Sequence, residues 1–256
     1  MDQTLPLSNT SIVVTRANQQ NKHICAELTS LGANVVAFPC IEIRPLYNFD
    51  SSHLENFLSH CELIIFTSTN AVQYGLQALP DFTVKVPSSC KFAAVGTSTA
   101  QALRDYGIQQ VLTPLEDSDS EALLKLPELQ NVKQRSVLFV KGEGGRKLLR
   151  ETLKSRGAVI HSIDVYQRTL PKAVNLDALN DKIDLLLFTS SEVVENFLAL
   201  TPKSLHSTLL SCQTIVGHTR IGNKVTALGF KKLPIIAATP SDTDMLAAIN
   251  QWIHSA

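Results

Sequence analysis

The chain repeats itself, and the repeat limits what it can fold into. VVTRA…LTSLGANVVAFPCIEIRP (Val13–Pro45) parallels LFVKG…LKSRGAVIHSIDVYQRTLP (Leu138–Pro171), with Gly32 and Gly157 125 positions apart. IIFTSTNAVQYGLQAL matches LLFTSSEVVENFLAL, with Phe66 and Phe188 offset by 122. AAVGTSTAQALRDYGI matches TIVGHTRIGNKVTALGF, with Gly96 and Gly217 offset by 121, and TPLEDSDSEALL resembles TPSDTDMLAAI. Four blocks in one order at a nearly constant offset point to a duplication and to two domains of similar fold.

Within each half, short apolar runs alternate with stretches of helical spacing. The strand candidates are Ser11–Thr15, Val35–Ile43, Leu63–Thr67, Phe92–Val95, Val137–Val140, Val159–Tyr166, Leu185–Thr189, Thr214–Val216 and Leu233–Ala237. Between most of them lie stretches with Leu and Ala at helical intervals. This alternation predicts βαβ units and parallel sheets. At 256 residues the length accommodates two small domains, at roughly 100–200 residues each. Two divisions fit. One is a tandem cut near Asn131. In the other, the chain leaves the first domain, builds the second and returns, with 38–45 and 163–171 as antiparallel crossings that end in proline.

Lys+Arg and Asp+Glu both number 23, so the chain has no bulk field to draw in nucleic acid or an anionic membrane. An anionic ligand must be held by local groups. The cysteines Cys25, Cys40, Cys61, Cys90 and Cys212 are scattered, with no CxxC pair. They read as small buried hydrophobes in a reducing compartment. The first ten residues lack a basic and then apolar leader pattern, and no run approaches the roughly 18 apolar residues of a membrane helix. A cytoplasmic protein is expected. The histidines show no metal-ligand spacing, and Asp117, Asp119, Asp242 and Asp244 read as helix caps, so no metal site is expected.

Three kinds of turn occur in duplicate, each after a strand and before a helix. They are Thr15–Arg16 with Lys141–Gly142; Thr67–Ser68–Thr69–Asn70 with Thr189–Ser190–Ser191; and Gly96–Thr97–Ser98–Thr99 with Gly217–His218–Thr219. In a parallel α/β sheet such turns lie at the carboxyl ends of the strands, where ligands bind. Free amides at a helix start and Ser/Thr hydroxyls donate to carboxylates. Any single turn is equally a set of helix caps; the duplication favours two rims serving one cleft. The segment KGEGGRK (Lys141–Lys147) fails the P-loop pattern because Leu148 follows Lys147, and it fails GxGxxG because Lys147 takes the third glycine position. His218 reads as a solvent-facing residue at a helix start, and Trp252 as packing for the last helix.

Together these blocks resemble the uroporphyrinogen-III synthase family. The carriers are VVTRA with LGA and FPCIEIRP, then FTSTNAV, AAVGTSTAQAL, VKGEGGR, RGAVIHSIDVYQR, FTSSEVVENFL, VGHTRIG and TPSDTDML. The resemblance implies two flavodoxin-like parallel-sheet domains joined by a two-stranded antiparallel linker. The expected boundaries are 1–37 with 172–256 for one domain, 46–162 for the inserted one, and 38–45 and 163–171 for the linker. It implies a cofactor-free lyase, usually monomeric, that closes hydroxymethylbilane to uroporphyrinogen III with inversion of the last ring and loss of water. Transient contact with the preceding pathway enzyme goes with that role. Tyr166, in VYQR, is implied as a hydrogen-bond donor to the leaving hydroxyl; packing on a strand is the competing account. Thr67, Ser68, Thr99, Ser191 and Thr219 match positions that line the family's cleft, and the duplicated turns add Thr15, Arg16, Asn70, Gly96, Thr97, Lys141, Gly142, Ser190, Gly217 and His218. At His218 and Arg220 the chain departs from the family's small residues. Arg16, Lys141 and Arg146 are candidates for ion pairs with substrate carboxylates. Readings from other classes are a two-domain anion-binding protein without catalysis and a flavin or nucleotide enzyme, the flavin version being testable by the colour of the purified protein.

Overall fold

The computed structural model describes residues 5–47, 49–79, 86–114, 119–145 and 147–255. Along the chain the strands are β1 (Ser11–Val14), β2 (Asn34–Ala37), β3 (Glu42–Pro45), β4 (Leu63–Phe66), β5 (Lys91–Ala94), β6 (Val111–Leu112), β7 (Ser136–Gly142), β8 (Val159–Thr169), β9 (Leu185–Phe188), β10 (Gln213–Val216) and β11 (Ile235–Ile236). The chain divides into two compact units. Unit 1 is Met1–Glu42 with Thr169–Ala256, and unit 2 is Ile43–Arg168.

Unit 1 is built on a five-stranded sheet in the order β11-β10-β9-β1-β2, and its pairings are parallel. Unit 2 is built on a six-stranded sheet in the order β3-β8-β7-β4-β5-β6. Its β8-β7-β4-β5-β6 portion is parallel. Both parallel portions share one plan. The strand pair that carries the first repeated block, β1-β2 or β7-β8, lies beside the strands of the later blocks, β9-β10-β11 or β4-β5-β6. The four blocks run in the same order in each half of the sequence. Each unit therefore combines one copy of each block taken from opposite halves of the chain.

The strands are apolar throughout because helices cover both faces of a parallel sheet. LIIF in β4 and LLLF in β9 are buried at every position. In unit 2, Ile64, Phe66, Leu138 and Val140 join one core, while Leu63, Ile65, Val137 and Phe139 join the core on the opposite face. That is the period-two alternation of a strand. In unit 1, Ile12, Val14, Leu185, Leu187 and Ile215 pack against the helices Asn18–Ser30 and Asp242–Ser255, and Trp252 lies against this cluster. The other face holds an aromatic cluster in which Phe188 meets Phe197 and Phe230 at centroid distances of 5.4 and 5.8 Å. Each such side chain stabilises the fold by about 1.5–3 kcal/mol on burial.

Gly32 and Gly157 end the helices Asn18–Ser30 and Leu148–Ser155 with φ of +92° and +87°. A β-carbon is strained there, which explains why both copies of the repeat keep glycine. Cys40, Cys61, Cys90 and Cys212 are buried and Cys25 is half-buried, all as free thiols.

The expected strand Val35–Ile43 is two strands. β2 follows β1 to Ala37, and the Phe38 and Cys40 amides still bond to the Val14 and Thr15 carbonyls. Between them Pro39 has no amide to offer. The chain then turns off, and β3 pairs with β8 instead. Leu46 N donates to Val165 O at 3.0 Å, and Thr169 Oγ1 reaches Glu42 O at 3.5 Å, so the two strands run antiparallel. β6 is too short to show a period in the sequence, and only Ile235–Ile236 of the run Leu233–Ala237 is a strand.

Candidate active site

In unit 2, β7 leads to β8 on one side and β4 leads to β5 on the other. The carboxyl ends of β7 and β4 therefore flank a topological switch point, where open α/β sheets bind ligands. A pocket of about 550 Å³ lies there. Thr67 and Ser68 after β4, Lys141 to Gly145 at the end of β7 and in the turn beyond it, Asp119 and Ser120, and Tyr166 and Arg168 of β8 are among its walls. Lys141, Lys147, Arg150 and Arg168 outnumber the acids Asp119 and Glu143 along the lining, so the pocket suits an anion.

Tyr166 is the best-fixed polar group of this pocket. It is only 3 % exposed, and its ring lies 6.1 Å from that of Tyr74. Its hydroxyl is 3.0 Å from Ser68 Oγ. Ser68 also caps the helix Thr69–Ala78 by accepting from Ala71 N at 3.1 Å. With that amide bonded to its oxygen, Ser68 can turn its own proton to the Tyr166 oxygen and leave the phenolic proton free to donate. Arg168 Nη2 lies 3.5 Å from the same oxygen, the limit of a hydrogen bond, and the guanidinium is 5.8 Å from the ring centroid.

A β-bulge between Lys141 and Gly142 brings Gly142 opposite Tyr166, and Glu143 N donates to Tyr166 O at 2.8 Å. Bulges re-aim a side chain near active sites. Lys141 spends its ammonium on this turn, donating to Gly142 O at 3.1 Å and Gly144 O at 3.2 Å. Its nitrogen also lies 2.5 Å from Asp164 Oδ1, an ion pair without hydrogen-bond alignment, since that oxygen has no aligned donor among the described residues.

The other turn residues of unit 2 serve mixed roles. Gly96 precedes the helix Thr97–Asp105, Thr97 is exposed, and Thr99 and Asn70 are buried. Asp119 caps the helix Ser120–Leu124 through Ala122 N at 2.7 Å. Arg146 and Asp117 lie outside the described residues.

The rim of unit 1 is arranged differently. Thr15 is fully buried, and its hydroxyl donates to Leu187 O at 2.5 Å, so it ties β1 to β9 and faces no ligand. Arg16 pairs with Asp242 and donates to Pro240 O. His23 Nδ1 is 2.9 Å from the second oxygen of Asp242. Gly217 lies under the same segment, where an added β-carbon would stand 2.5 Å from Pro240 Cβ and 2.7 Å from Cα. The glycine thus serves a close approach of backbone. Asp242, expected as a cap, is the anchor of this segment. His218 is exposed and caps the helix Thr219–Ala227 through Arg220 N at 3.0 Å, and Thr219 is exposed beside it. Ser190 caps the helix Ser191–Leu200 through Val193 N at 3.2 Å. The Ser191 hydroxyl oxygen is buried with no hydrogen-bond partner among the described residues.

Asp164, Arg150 and Arg168 were not singled out from the sequence. A signal for one of them existed: Tyr166 and Arg168 stand two apart on β8, and the Arg168 guanidinium lies near the Tyr166 ring.

The family model described as uroporphyrinogen-III synthase HemD matches residues 22–247. The chain is 29% identical to the uroporphyrinogen-III synthase of Escherichia coli K12 over 92% of its length and 98% of that protein's. It is 31% identical to that of Salmonella typhimurium LT2, again over 92% and 98%. Among solved structures, uroporphyrinogen-III synthetase from Helicobacter pylori 26695 superposes with a TM-score of 0.63 over 95% of this chain and 99% of that one, at 18% identity. A mutant uroporphyrinogen III synthase from the extremely thermophilic bacterium Thermus thermophilus gives 0.62 over 96% and 100%, at 16% identity. Both superpositions support the two-domain α/β fold.

Proposed function

The chain belongs to the uroporphyrinogen-III synthase family, and from that premise we propose that it closes hydroxymethylbilane to uroporphyrinogen III around Tyr166. Family membership favours a catalyst over an anion binder that does not react. One observation carries the assignment of the site. The Tyr166 hydroxyl is held by Ser68 at a strand-end pocket with a surplus of basic residues.

The substrate supplies its own driving force. An electron-rich pyrrole nitrogen pushes out the hydroxyl at the far end of the chain. The carbon–oxygen bond breaks, and the departing oxygen takes up a proton to leave as water. Tyr166 donates a hydrogen bond to that oxygen, help typically worth about 10²–10⁴-fold for a general acid. The resulting cation is delocalised over the pyrrole. Left alone, the linear chain closes without inversion, so the enzyme must govern shape. Attack by the substituted carbon of the last ring forms one bond. That carbon's bond to its original methylene then breaks and re-forms at the ring's free carbon, which loses its proton. Holding the two ends together for this is a task of proximity and orientation.

Basic side chains, amides and hydroxyls of the unit 2 pocket hold substrate carboxylates, Thr67 and Ser68 among them, and Thr97 and Thr99 stand on the neighbouring strand-end turn, outside its lining. On unit 1's own rim Ser190, Ser191 and Thr219 are carboxylate donors, and the Ser191 hydroxyl, buried without a hydrogen-bond partner among the described residues, supports that role. The β3 and β8 segments, where the chain passes between units, act as the linker. The reading carries with it a monomer in the cytoplasm that needs no cofactor and meets the preceding pathway enzyme only transiently. No helix among the described residues is long and apolar enough to cross a membrane.

The test supplies fresh hydroxymethylbilane and resolves the porphyrin isomers after oxidation. Catalysed type III product is expected. Tyr166→Phe slows its formation at least about tenfold while the fold survives. Type I product alone, at the spontaneous rate, rejects the enzyme; wild-type rates in Tyr166→Phe remove Tyr166 from the mechanism.

A further inference from the structure

Lys141 occupies the position that a carboxylate-binding lysine would take, yet two turn carbonyls already accept from it and Asp164 already pairs its charge. An ammonium has three protons, and Lys141 faces Gly142 O, Gly144 O and the Asp164 carboxylate. Its side chain is 18 % exposed. The two carbonyls belong to the turn that packs against Tyr166: Gly142 is opposite Tyr166 across the bulge, and Glu143 N is bonded to Tyr166 O. Gly144 and Gly145 follow with φ of +72° and +83°, a backbone that needs an outside hold to stay in one shape.

We propose that Lys141, seated by Asp164, is a positioning residue for Tyr166: by holding the Gly142 and Gly144 carbonyls it presses the 142–145 turn onto the phenol ring and aims the hydroxyl at Ser68 and the pocket. The inference rests on the reading of Tyr166 given above and assigns Lys141 a different task from binding substrate. A lysine that bound a substrate carboxylate would act mainly on KM. A lysine that acts through Tyr166 acts on kcat, and its effect depends on the phenol being present.

The first readout needs no substrate. Protein labelled with 3-fluorotyrosine carries four fluorine sites, Tyr47, Tyr74, Tyr106 and Tyr166. The Tyr166 resonance is assigned from its loss in Tyr166→Phe. Lys141→Met is expected to shift or broaden that resonance and to leave Tyr47 and Tyr106 in place. An unmoved Tyr166 resonance overturns the proposal, whatever the activity does. The second readout is kinetic. Lys141→Met is expected to lower kcat on the order of tenfold to a hundredfold, with KM within about threefold and more type I isomer in the product. In the Tyr166→Phe background the same substitution costs less than about twofold, because the two residues act as one unit. Multiplicative losses, or a loss carried by KM, overturn the proposal. If Lys141→Met shows no melting transition, Asp164→Asn is tested by the same readouts, since it keeps the lysine and removes its seat. A smaller shift of the Tyr166 resonance is then expected, and none overturns the proposal. Tyr166→Phe at wild-type rate together with a shifted resonance in Lys141→Met would instead retire the catalytic reading of Tyr166 and leave the positioning contact standing.

Discussion

Gly142 lies against Tyr166 so closely that a β-carbon on the glycine would stand 2.4 Å from the ring's Cζ and 2.8 Å from its hydroxyl. No side chain fits that space, so even one methyl must displace either the phenol or the 142–145 turn. Gly142→Ala is therefore expected to lower kcat for type III formation by about tenfold or more, since a misplacement of about 1 Å can cost that much. Overpacking of this kind costs typically about 1–3 kcal/mol of stability. Steady-state kinetics and a thermal melt check both halves. A variant with full activity would show that the phenol does not need its present position.

Ser68 and Ser190 are duplicates with the same local duty and different neighbours. Each caps its helix, Ser68 through Ala71 N and Ser190 through Val193 N. Replacing either by alanine should cost about 0.5–2 kcal/mol, the usual worth of such a cap. Only Ser68 also touches a phenol. Ser68→Ala is thus expected to lower kcat several-fold, while Ser190→Ala acts through KM. Urea melts and steady-state kinetics on the pair separate capping from catalysis. Equal kcat losses would contradict a special link between Ser68 and Tyr166.

Much of the fold was legible because its signals are local. The runs LIIF and LLLF are apolar at every position, which only a doubly covered strand tolerates. The glycines Gly32 and Gly157 mark the same helix end in both copies. The strand-end turns were legible as a set, but the work of each side chain was not. Arg16 is tied to Asp242, 226 positions away, and that partnership exists only once the sheet is assembled. Lys141 looked like its duplicate, yet it faces Asp164 and two turn carbonyls. The repeat preserves backbone plan, while side-chain partners come from tertiary neighbours that the two copies do not share. The bulge at Gly142 is likewise a property of paired strands, invisible in either one.

The acid side of the stability curve should carry the mark of Asp184. This residue begins the β9 pairing, accepting from Ser11 N at 3.0 Å and pairing with Lys182 at 2.7 Å. Partial burial works against its charge, but Lys182 and the Ser11 amide outweigh it and hold the carboxyl below the usual carboxylate range. A depressed folded pKa means that the unfolded chain binds the proton more readily. The stabilisation is therefore complete above the unfolded pKa, near about 4, and is lost as pH falls through the lower folded value. Asp184→Asn is expected to be less stable than wild type at neutral pH and to converge with it in strong acid. Urea midpoints measured from neutral pH downwards test this. Parallel curves would mean that the charge contributes nothing.

The Arg16–Asp242 pair holds the 239–242 segment over the strand ends of unit 1, with side chains 12 % and 21 % exposed. Arg16 can only meet an outside carboxylate if Asp242 lets go. Asp242→Asn removes the internal anion and leaves the guanidinium partly buried without its charge partner. Losing a hydrogen bond to a charged group typically costs about 1.5–3 kcal/mol, so the melting temperature should fall. The freed arginine then offers a site that sulfate can fill, and a ligand that binds only the folded state raises stability as its concentration rises. Sulfate is accordingly expected to raise the melting temperature of Asp242→Asn more than that of wild type, measured against chloride at matched ionic strength. His23 has the second oxygen of Asp242 as its partner, so His23→Gln should lower the melting temperature less than Asp242→Asn does and bring no extra response to sulfate. If Asp242→Asn and wild type respond to sulfate alike, the pair is ordinary surface packing and Arg16 is not a masked anion site.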